Sequence, residues 1–199
     1  MYRILCDSYV LYDPRLPDLF VIEPELTQKK NEPGELSFTI PKEHPNYGVL
    51  EKLKSRIKIY RDDTLIWLGR AIEDDRDVYE NRKVVAEGAL SFLLDSVLRQ
   101  FTFDGTATEL FAWILAAHNA RVNENQRLTL GNCDISGSVG VTTKDYLSSW
   151  QALKTCLIDS FGGYLIVRYD ENENPILDYL SDVPDTATQR IEFGENLID

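Results

Sequence analysis

The sequence predicts an α+β fold, in which a small antiparallel β-barrel-like domain is followed by an α/β module. Three observations support this prediction. Short segments of alternating apolar and polar residues fill the first half of the chain, with turn residues between them. Two apolar stripes at helical spacing follow in the second half, and a last pair of alternating segments comes after them. The period changes near residues 96–104, so we assign residues 1–98 to the first domain and residues 99–199 to the second.

The first half is predicted to be a series of hairpins. Residues 25–30 and 36–40 form the clearest one, because apolar and polar side chains alternate strictly in the second segment. The turn between them contains Pro33, which fixes φ, and Gly34, which tolerates a positive φ. Further strands are predicted at residues 9–12, 57–60, 65–72 and 83–86.

Two short helical segments accompany these predicted strands. Tyr47, Leu50 and Leu53 would fall on one face of a helix over residues 45–53. A helical turn over residues 90–98 is predicted to cover one end of the barrel.

The second half contains two sequence signals for the start of a helix. Thr106 and Glu109 form a T-x-x-E capping box ahead of an apolar stripe, which predicts a helix over residues 107–122. Ser148 and Gln151 form a similar box ahead of the second stripe. The remaining predictions are a strand at residues 128–130, a loop at residues 136–140, a helix beginning near Ser149 and stopped by Gly162 and Gly163, and a hairpin of residues 164–169 and 175–180. A last strand, at about residues 188–194, is predicted either to pair with later chain or to return to the first domain.

Composition excludes several classes of function. Lys and Arg total 21 and Asp and Glu total 33, which gives a formal net charge of −12. This balance disfavours unassisted binding to nucleic acid or to an anionic membrane, because both need clustered cations. The longest apolar run, residues 110–117, is too short to span a bilayer. The first residues include Arg3 and Asp7 and do not resemble a secretion signal, so we expect the protein to fold in the cytoplasm.

The two histidines are the first candidates for chemistry. His44 lies between Glu43 and Pro45 and is read either as a general base or as a histidine of a surface loop; no nucleophile motif accompanies it. His118 lies on the apolar stripe of the first predicted helix. We expect it to be packed in the core or at the helix end, since no second His or Cys follows at i+4 to complete a metal site.

Three cysteines are too few and too widely spaced for a disulfide framework or a structural zinc site. Cys6, in a predicted strand, and Cys156, between apolar helical positions, are expected to be small buried side chains. Cys133 is predicted to lie in a loop, where its thiol would be open to reaction.

Carboxylates and tryptophans supply the remaining candidates. The cluster Glu73, Asp74, Asp75 and Asp77 is read either as a Ca²⁺ site or as the solvated end of a strand, and the spacing of an EF-hand loop is absent. Trp67 and Trp113 are read either as a carbohydrate platform or as core residues of regular elements. Gly162 and Gly163 are read as a helix stop rather than a phosphate cradle. From the residues alone we predict no catalytic, metal-binding or cofactor-binding site, and a binding or structural role.

One segment resembles a known family. Residues 31–47, NEPGELSFTIPKEHPNY, are similar to the N-terminal region of the prophage tail protein family, which contains tail-associated endopeptidases and minor structural proteins of siphophages and prophages of Gram-positive bacteria. The same resemblance continues in order along the chain at residues 6–15, 67–75, 86–96, 116–122, 162–169, 177–180 and 191–199.

The resemblance implies a fold like that of the baseplate hub protein of contractile tails. It implies a structural protein of the virion tail tip, assembled in the host cytoplasm as a homotrimeric ring when the protein is full-length. The implied partners are the distal tail protein, the tape measure and fibre or receptor-binding parts, with DNA passing through the channel without specific binding. It also implies that this chain is an N-terminal fragment, without cofactor and not an enzyme, because no residue matches the tail-associated lysin region that family members carry C-terminally.

Two alternative functions remain open at this stage. The chain is a fragment of a peptidoglycan hydrolase, for which His44 and Cys133 would be the best residues, or it is a module that binds host glycans through exposed aromatic side chains.

Overall fold

The structure, a computed structural model, describes residues 1–183 and confirms an α+β fold. Its first half consists of the strands β1 (Tyr2–Cys6), β2 (Tyr9–Tyr12), β3 (Ile22–Thr27), β4 (Glu35–Ile40), β5 (Arg56–Arg61), β6 (Thr64–Arg76) and β7 (Arg82–Gly88). These strands form one antiparallel sheet in the order β2-β1-β5-β6-β7-β4-β3, curled into a half-barrel. The predicted last strand at about residues 188–194 lies outside the described residues.

Alternation along the strands builds the core of the half-barrel. Leu36, Phe38 and Ile40 of β4 are buried, and the intervening residues are not. The predicted hairpin is confirmed as β3 paired antiparallel with β4, and Gly34 in its loop has a φ of +72°. The first-half core contains Ile4, Cys6, Leu11, Val21, Leu36, Phe38, Ile40, Leu50, Ile57, Ile59, Trp67, Ala71, Val84 and Ala86. The one-faced burial therefore follows directly from the period of two.

The predicted helix over residues 45–53 is wrong, because this segment is a series of turns. Leu53 has a φ of +63° and is 56% exposed, whereas Leu50 is buried. The guanidinium of Arg82 donates hydrogen bonds to the carbonyl oxygens of Tyr47 and Leu50. A distant side chain thus takes the backbone acceptors that a helix would have used.

The second half combines helices with small sheets. Its elements are a 3₁₀ helix (Ala89–Leu94), β8 (Val97–Leu98), β9 (Thr102–Thr106), α1 (Ala107–Asn119), a 3₁₀ turn (Glu124–Gln126), β10 (Thr129–Cys133), β11 (Ser138–Thr142), β12 (Leu147–Ser148), α2 (Ser149–Leu153), a π-helical segment (Lys154–Ile158), α3 (Asp159–Phe161), β13 (Tyr164–Tyr169) and β14 (Pro175–Leu180). The sheet β10-β14-β13 contains the predicted hairpin, and β10 joins it parallel to β14.

Both helix starts are confirmed. Thr106 and Glu109 form a reciprocal capping box at α1, and Ser148 and Gln151 do so at α2. The first helix ends at Asn119, three residues before the predicted end at residue 122. The helical turns from α2 through α3 end at Gly162 and Gly163, with φ values of +73° and +84°, as the predicted stop requires.

The predicted loop at residues 136–140 is wrong in part, because β11 begins at Ser138 and pairs with β9. Neither strand of this ribbon has a fully buried face; Val139 is the buried residue of β11 and β9 has none. In β11, Val139 and Val141 alternate with Ser138, Gly140 and Thr142, so a short period-two signal is present that the loop prediction did not use.

The two cores meet at strand β6. Trp67 belongs to the core of the half-barrel, whereas the next residue, Leu68, belongs to the core of the second half. Leu90, Phe92 and Leu93 of the 3₁₀ helix also pack into the second core. Residues before position 98 thus help to build the core around α1, and the proposed boundary at residues 98 and 99 stays a prediction.

Hydrogen bonds also join the two halves. Glu173 accepts hydrogen bonds from Lys58 Nζ at 2.6 Å and from the Tyr60 hydroxyl. The Leu68 amide donates to the Tyr169 hydroxyl at 2.8 Å, and burial raises the pKa of Tyr169 to about 12. The side-chain amide of Asn31 donates to the carbonyl oxygen of Gly163 and accepts the amide hydrogen of Leu165. The hairpin β13–β14 is therefore fixed against the half-barrel.

Candidate functional site

His44 is buried, so its interpretation as a surface-loop histidine is wrong. Its Nε2 lies 2.9 Å from the carbonyl oxygen of Leu11 and must donate there, because a carbonyl only accepts. Its Nδ1 accepts the amide hydrogen of Asn46 at 3.0 Å. The Nε2 bond therefore holds the turn segment against β2, the Nδ1 bond lies within the turn, and hydrogen bonds engage both ring nitrogens.

His118 is fully buried, which confirms its predicted place in the core. Its Nε2 lies 3.1 Å from the carbonyl oxygen of Gln126 and donates to it. Its Nδ1 then accepts from the Ser96 hydroxyl at 2.7 Å, and Ser96 lies 2.6 Å from the Ser149 hydroxyl. Burial lowers the pKa of His118, against a smaller opposing effect of Gln126 and Asp95.

The pKa of His118 predicts how stability changes with pH. The pKa of His118 is lowered in the folded state and is near its ordinary value of 6.5 in the unfolded state. The unfolded chain therefore binds the proton more readily. We expect the full contribution of His118 to the free energy of unfolding above pH 6.5. This contribution should be lost as the pH falls from 6.5 toward the lowered pKa of the folded state. Urea unfolding of the wild type and of His118→Gln between pH 8 and pH 5 measures this. Equal pH slopes for the two proteins would contradict it.

The cysteines do not form a reactive group. Cys6 and Cys156 are buried as predicted, and burial raises the pKa of Cys6 to about 11. The loop predicted for Cys133 is wrong, because this residue ends strand β10 and is half-buried. His44 and Cys133 belong to different halves of the fold, and the structure does not bring them together as a nucleophile and a base.

The acidic cluster divides into parts with separate roles. Glu73, Asp74 and Asp75 lie in β6, and Asp74 pairs with the buried guanidinium of Arg82 at 2.6 Å rather than with solvent alone. Asp77 organises the following turn. Within residues 1–183, no three His, Cys, Asp or Glu side chains are grouped so that they could hold a metal ion. In the same range, no helix is long and apolar enough to cross a membrane.

The two tryptophans have different environments. Trp67 is buried in the half-barrel, as its interpretation as a core residue predicts. Trp113 is 38% exposed on the outer face of α1, which departs from that interpretation. Its ring centroid lies 4.7 Å from that of Phe101 and 6.3 Å from that of Phe103. This aromatic group covers the junction of α1 with the β9–β11 ribbon.

Within residues 1–183, the most exposed large apolar side chains lie where the sequence predicts no site. The hairpin of β6 and β7 carries Val78 and Tyr79 at its tip, residues 77–81, and they are 89% and 77% exposed. We call residues 77–81 the arm tip. Sequence patterns gave no warning of it, because two apolar residues between acidic ones have no helical or strand period.

The arm tip is fixed in shape. Asp77 Oδ1 accepts the amide hydrogens of Tyr79 and Asn81 at 2.8 and 3.0 Å, and the Asn81 side chain donates to Oδ2. These bonds lower the pKa of Asp77, the side-chain bond from Asn81 most of all. Glu80 has a φ of +64° and its carbonyl oxygen accepts from the Tyr47 hydroxyl. A strained, hydrogen-bonded turn thus presents two apolar side chains to solvent, as a preorganised contact does.

The fold is similar to those of solved phage tail proteins. The tail protein from Neisseria meningitidis superposes with a TM-score of 0.61 at 11% identity, over 88% of this chain and 50% of that one. The prophage tail protein gp18 from Listeria monocytogenes gives 0.52 at 12% identity, over 89% and 50%. The 43 kDa tail protein of prophage MuSo2 from Shewanella oneidensis gives 0.56 at 11% identity, over 88% and 53%. The chain spans about half the length of these structures, and no family model and no curated protein matches its sequence.

Proposed function

From this shared fold we propose that the chain is part of a structural protein of a phage or prophage tail, and that it acts as a hub at the tail tip. The supporting observation is the similarity to three tail proteins over 88–89% of the chain. A hub lies below the tail tube and joins it to fibre or lysin parts. In the full-length protein it closes a homotrimeric ring with the distal tail protein above it.

The proposal assigns a mechanical role to the charge of the chain. A formal net charge of −12 favours a ring whose channel is lined by carboxylates, so that DNA phosphates are repelled as they pass. The proposal also holds that the chain is not itself an enzyme and needs no cofactor. The hydrogen bonds that occupy both nitrogens of His44 favour this over the hydrolase alternative.

Light scattering on the chain, alone and with the cognate distal tail protein, tests the hub proposal. We expect the chain alone to be monomeric or weakly associating, and to form a complex of higher mass when the partner is added. A trimer of the chain alone also supports the proposal. An unchanged mass with the partner at every ratio would contradict the hub role and leave the tail fold in place.

The arm tip is our proposed contact in that complex. Replacing Val78 and Tyr79 by serine removes two exposed side chains, so we expect folding stability to change by less than about 0.5 kcal/mol. Loss of an aromatic anchor at an interface typically costs more than about 1 kcal/mol, so binding of the partner should weaken about tenfold. Tyr146→Ser is the matched control, since Tyr146 is also exposed and belongs to the second half. Equal binding by both variants would exclude the arm tip as the contact.

A further inference from the structure

A cleft lies between strand β13 of the second half and strand β6 of the half-barrel. Its volume is about 350 Å³, and the loop between β3 and β4 lines one side of it. Four consecutive residues of β13 line another side: Tyr164, Leu165, Ile166 and Val167. Side chains of consecutive strand residues point to opposite faces of a sheet, so a cavity bordered by all four runs along the edge of the strand. The cleft therefore follows the backbone of β13 rather than one of its faces.

This edge of β13 is not paired with another described strand. The sheet order is β10-β14-β13, so β14 takes one side of β13 and residues 1–183 supply no strand for the other. The side-chain amide of Asn31 begins the pairing there, because it donates to the carbonyl oxygen of Gly163 at 3.0 Å and accepts the amide hydrogen of Leu165 at 2.7 Å. One residue of a neighbouring strand makes the same two bonds.

The next backbone groups along this edge are available for pairing. Backbone direction alternates along a strand, so the carbonyl of Leu165 and both backbone groups of Val167 point to the same side as the Leu165 amide. Within residues 1–183 these three groups have no hydrogen-bond partner. An edge with free donors and acceptors is a template for an added strand.

The cleft also contains a buried donor without an acceptor. Trp67 lines the cleft and is only 2% exposed, and its Nε1 has no hydrogen-bond partner within the described part of the chain. This nitrogen lies beside Gly34 and Gly88, whose neighbours Pro33 and Ala89 also line the cleft. An indole N–H can only donate, and leaving it unpaired in the interior is unfavourable. A ligand that brings an oxygen atom to this point is therefore favoured.

The walls and the rim define the chemistry of the occupant. Ile66 and Leu90 contribute apolar surface. Lys29 and Lys30 supply two cations, of which Lys29 pairs with Glu32 at 3.6 Å. Lys30 has no carboxylate partner within residues 1–183. An extended segment with apolar side chains and a carboxylate complements these features.

We propose that the cleft binds an extended segment of a partner protein, with alternating apolar and acidic side chains, as an added strand on β13. Its backbone continues the pairing that Asn31 begins, along Leu165 and Val167. One of its carbonyl oxygens accepts the indole hydrogen of Trp67, and one of its carboxylates pairs with Lys30. The site does not involve the arm tip, and it does not depend on the hub proposal.

An NMR titration of the full chain with the peptide acetyl-Val-Glu-Val-Glu-Val-amide tests this proposal. A net charge of −12 repels the peptide, so its binding reports a local site rather than general attraction. We expect exchange of the Val167 amide hydrogen to slow and the indole hydrogen signal of Trp67 to shift. The same peptide with every backbone nitrogen methylated keeps its side chains but loses its backbone donors, so it should bind about tenfold more weakly.

Two lysine variants separate the charge at the rim from the net charge of the chain. Lys30→Gln and Lys52→Gln each remove one positive charge, but Lys52 is an exposed lysine outside the cleft. We expect Lys30→Gln to weaken binding of the acidic peptide about threefold, as loss of an exposed ion pair does. Lys52→Gln should bind the peptide as the wild type does.

Four outcomes would overturn the proposal. An unchanged Val167 exchange rate and Trp67 signal at the highest peptide concentration mean that no strand adds to β13. Equal binding of the methylated peptide means that apolar contact alone attracts it. Equal weakening by the two lysine variants means that Lys30 has no specific part. A Val167 amide that is already protected in the free chain, at every protein concentration, means that the cleft is filled without a partner.

Discussion

Replacing Arg82 by alanine is expected to lower the free energy of unfolding by about 3 kcal/mol, at the lower end of what breaking a buried ion pair costs. The guanidinium is buried and donates two hydrogen bonds to Asp74, at 2.8 and 2.6 Å. It also donates to the carbonyl oxygens of Tyr47 and Leu50. Its loss leaves a carboxylate that is only 21% exposed without its partner and two backbone acceptors without a donor.

Urea denaturation measures this effect, and the hairpin itself provides a control. Arg76 pairs across the same two strands with Arg82 but is exposed, so Arg76→Ala should change stability by less than about 0.5 kcal/mol. Asp74→Asn in the Arg82→Ala background should recover part of the loss, because it removes the unpaired charge. Equal stabilities for the Arg82 and Arg76 variants would show that the turn segment over residues 45–53 holds its shape without the guanidinium.

Local signals in the sequence were sufficient for much of the fold. The capping boxes at Thr106 and Ser148 are confirmed because a cap is made by residues three apart. The hairpin around Gly34 is confirmed because turn chemistry and strand alternation agree there. Each of these features depends on neighbours in the chain, so the sequence alone determines it.

Features that depend on distant residues were missed. The false helix over residues 45–53 has a good apolar spacing, but its carbonyl oxygens are bound by Arg82, more than thirty residues away. The surface-loop interpretation of His44 is wrong, and its Nε2 bonds to the carbonyl oxygen of Leu11, more than thirty residues away in β2. The arm tip was missed for a different reason, since exposure of Val78 and Tyr79 is a property of the surface that hydrophobic patterning does not encode.

Replacing Leu68 by alanine is the second substitution with a large expected effect, a loss of about 2–5 kcal/mol of unfolding free energy. Leu68 is fully buried and lies in the second core, although its strand belongs to the first sheet. The Leu68 amide also donates to Tyr169 of the second half. The cavity would therefore form where the two halves meet, and Leu94→Ala, at an exposed leucine, should cost less than about 0.5 kcal/mol.

The same variant tests whether the two halves unfold as one unit. Fluorotryptophan labels would report on Trp67 in the first core and on Trp113 and Trp150 in the second half. Because β6 contributes side chains to both cores, we expect the three ¹⁹F resonances to shift at one urea concentration in the wild type, and at one lower concentration in Leu68→Ala. If Trp67 unfolded separately, the halves would be independent domains and Leu68 would belong energetically to the second alone. A single transition would instead show that the two halves unfold cooperatively, with β6 shared between their cores.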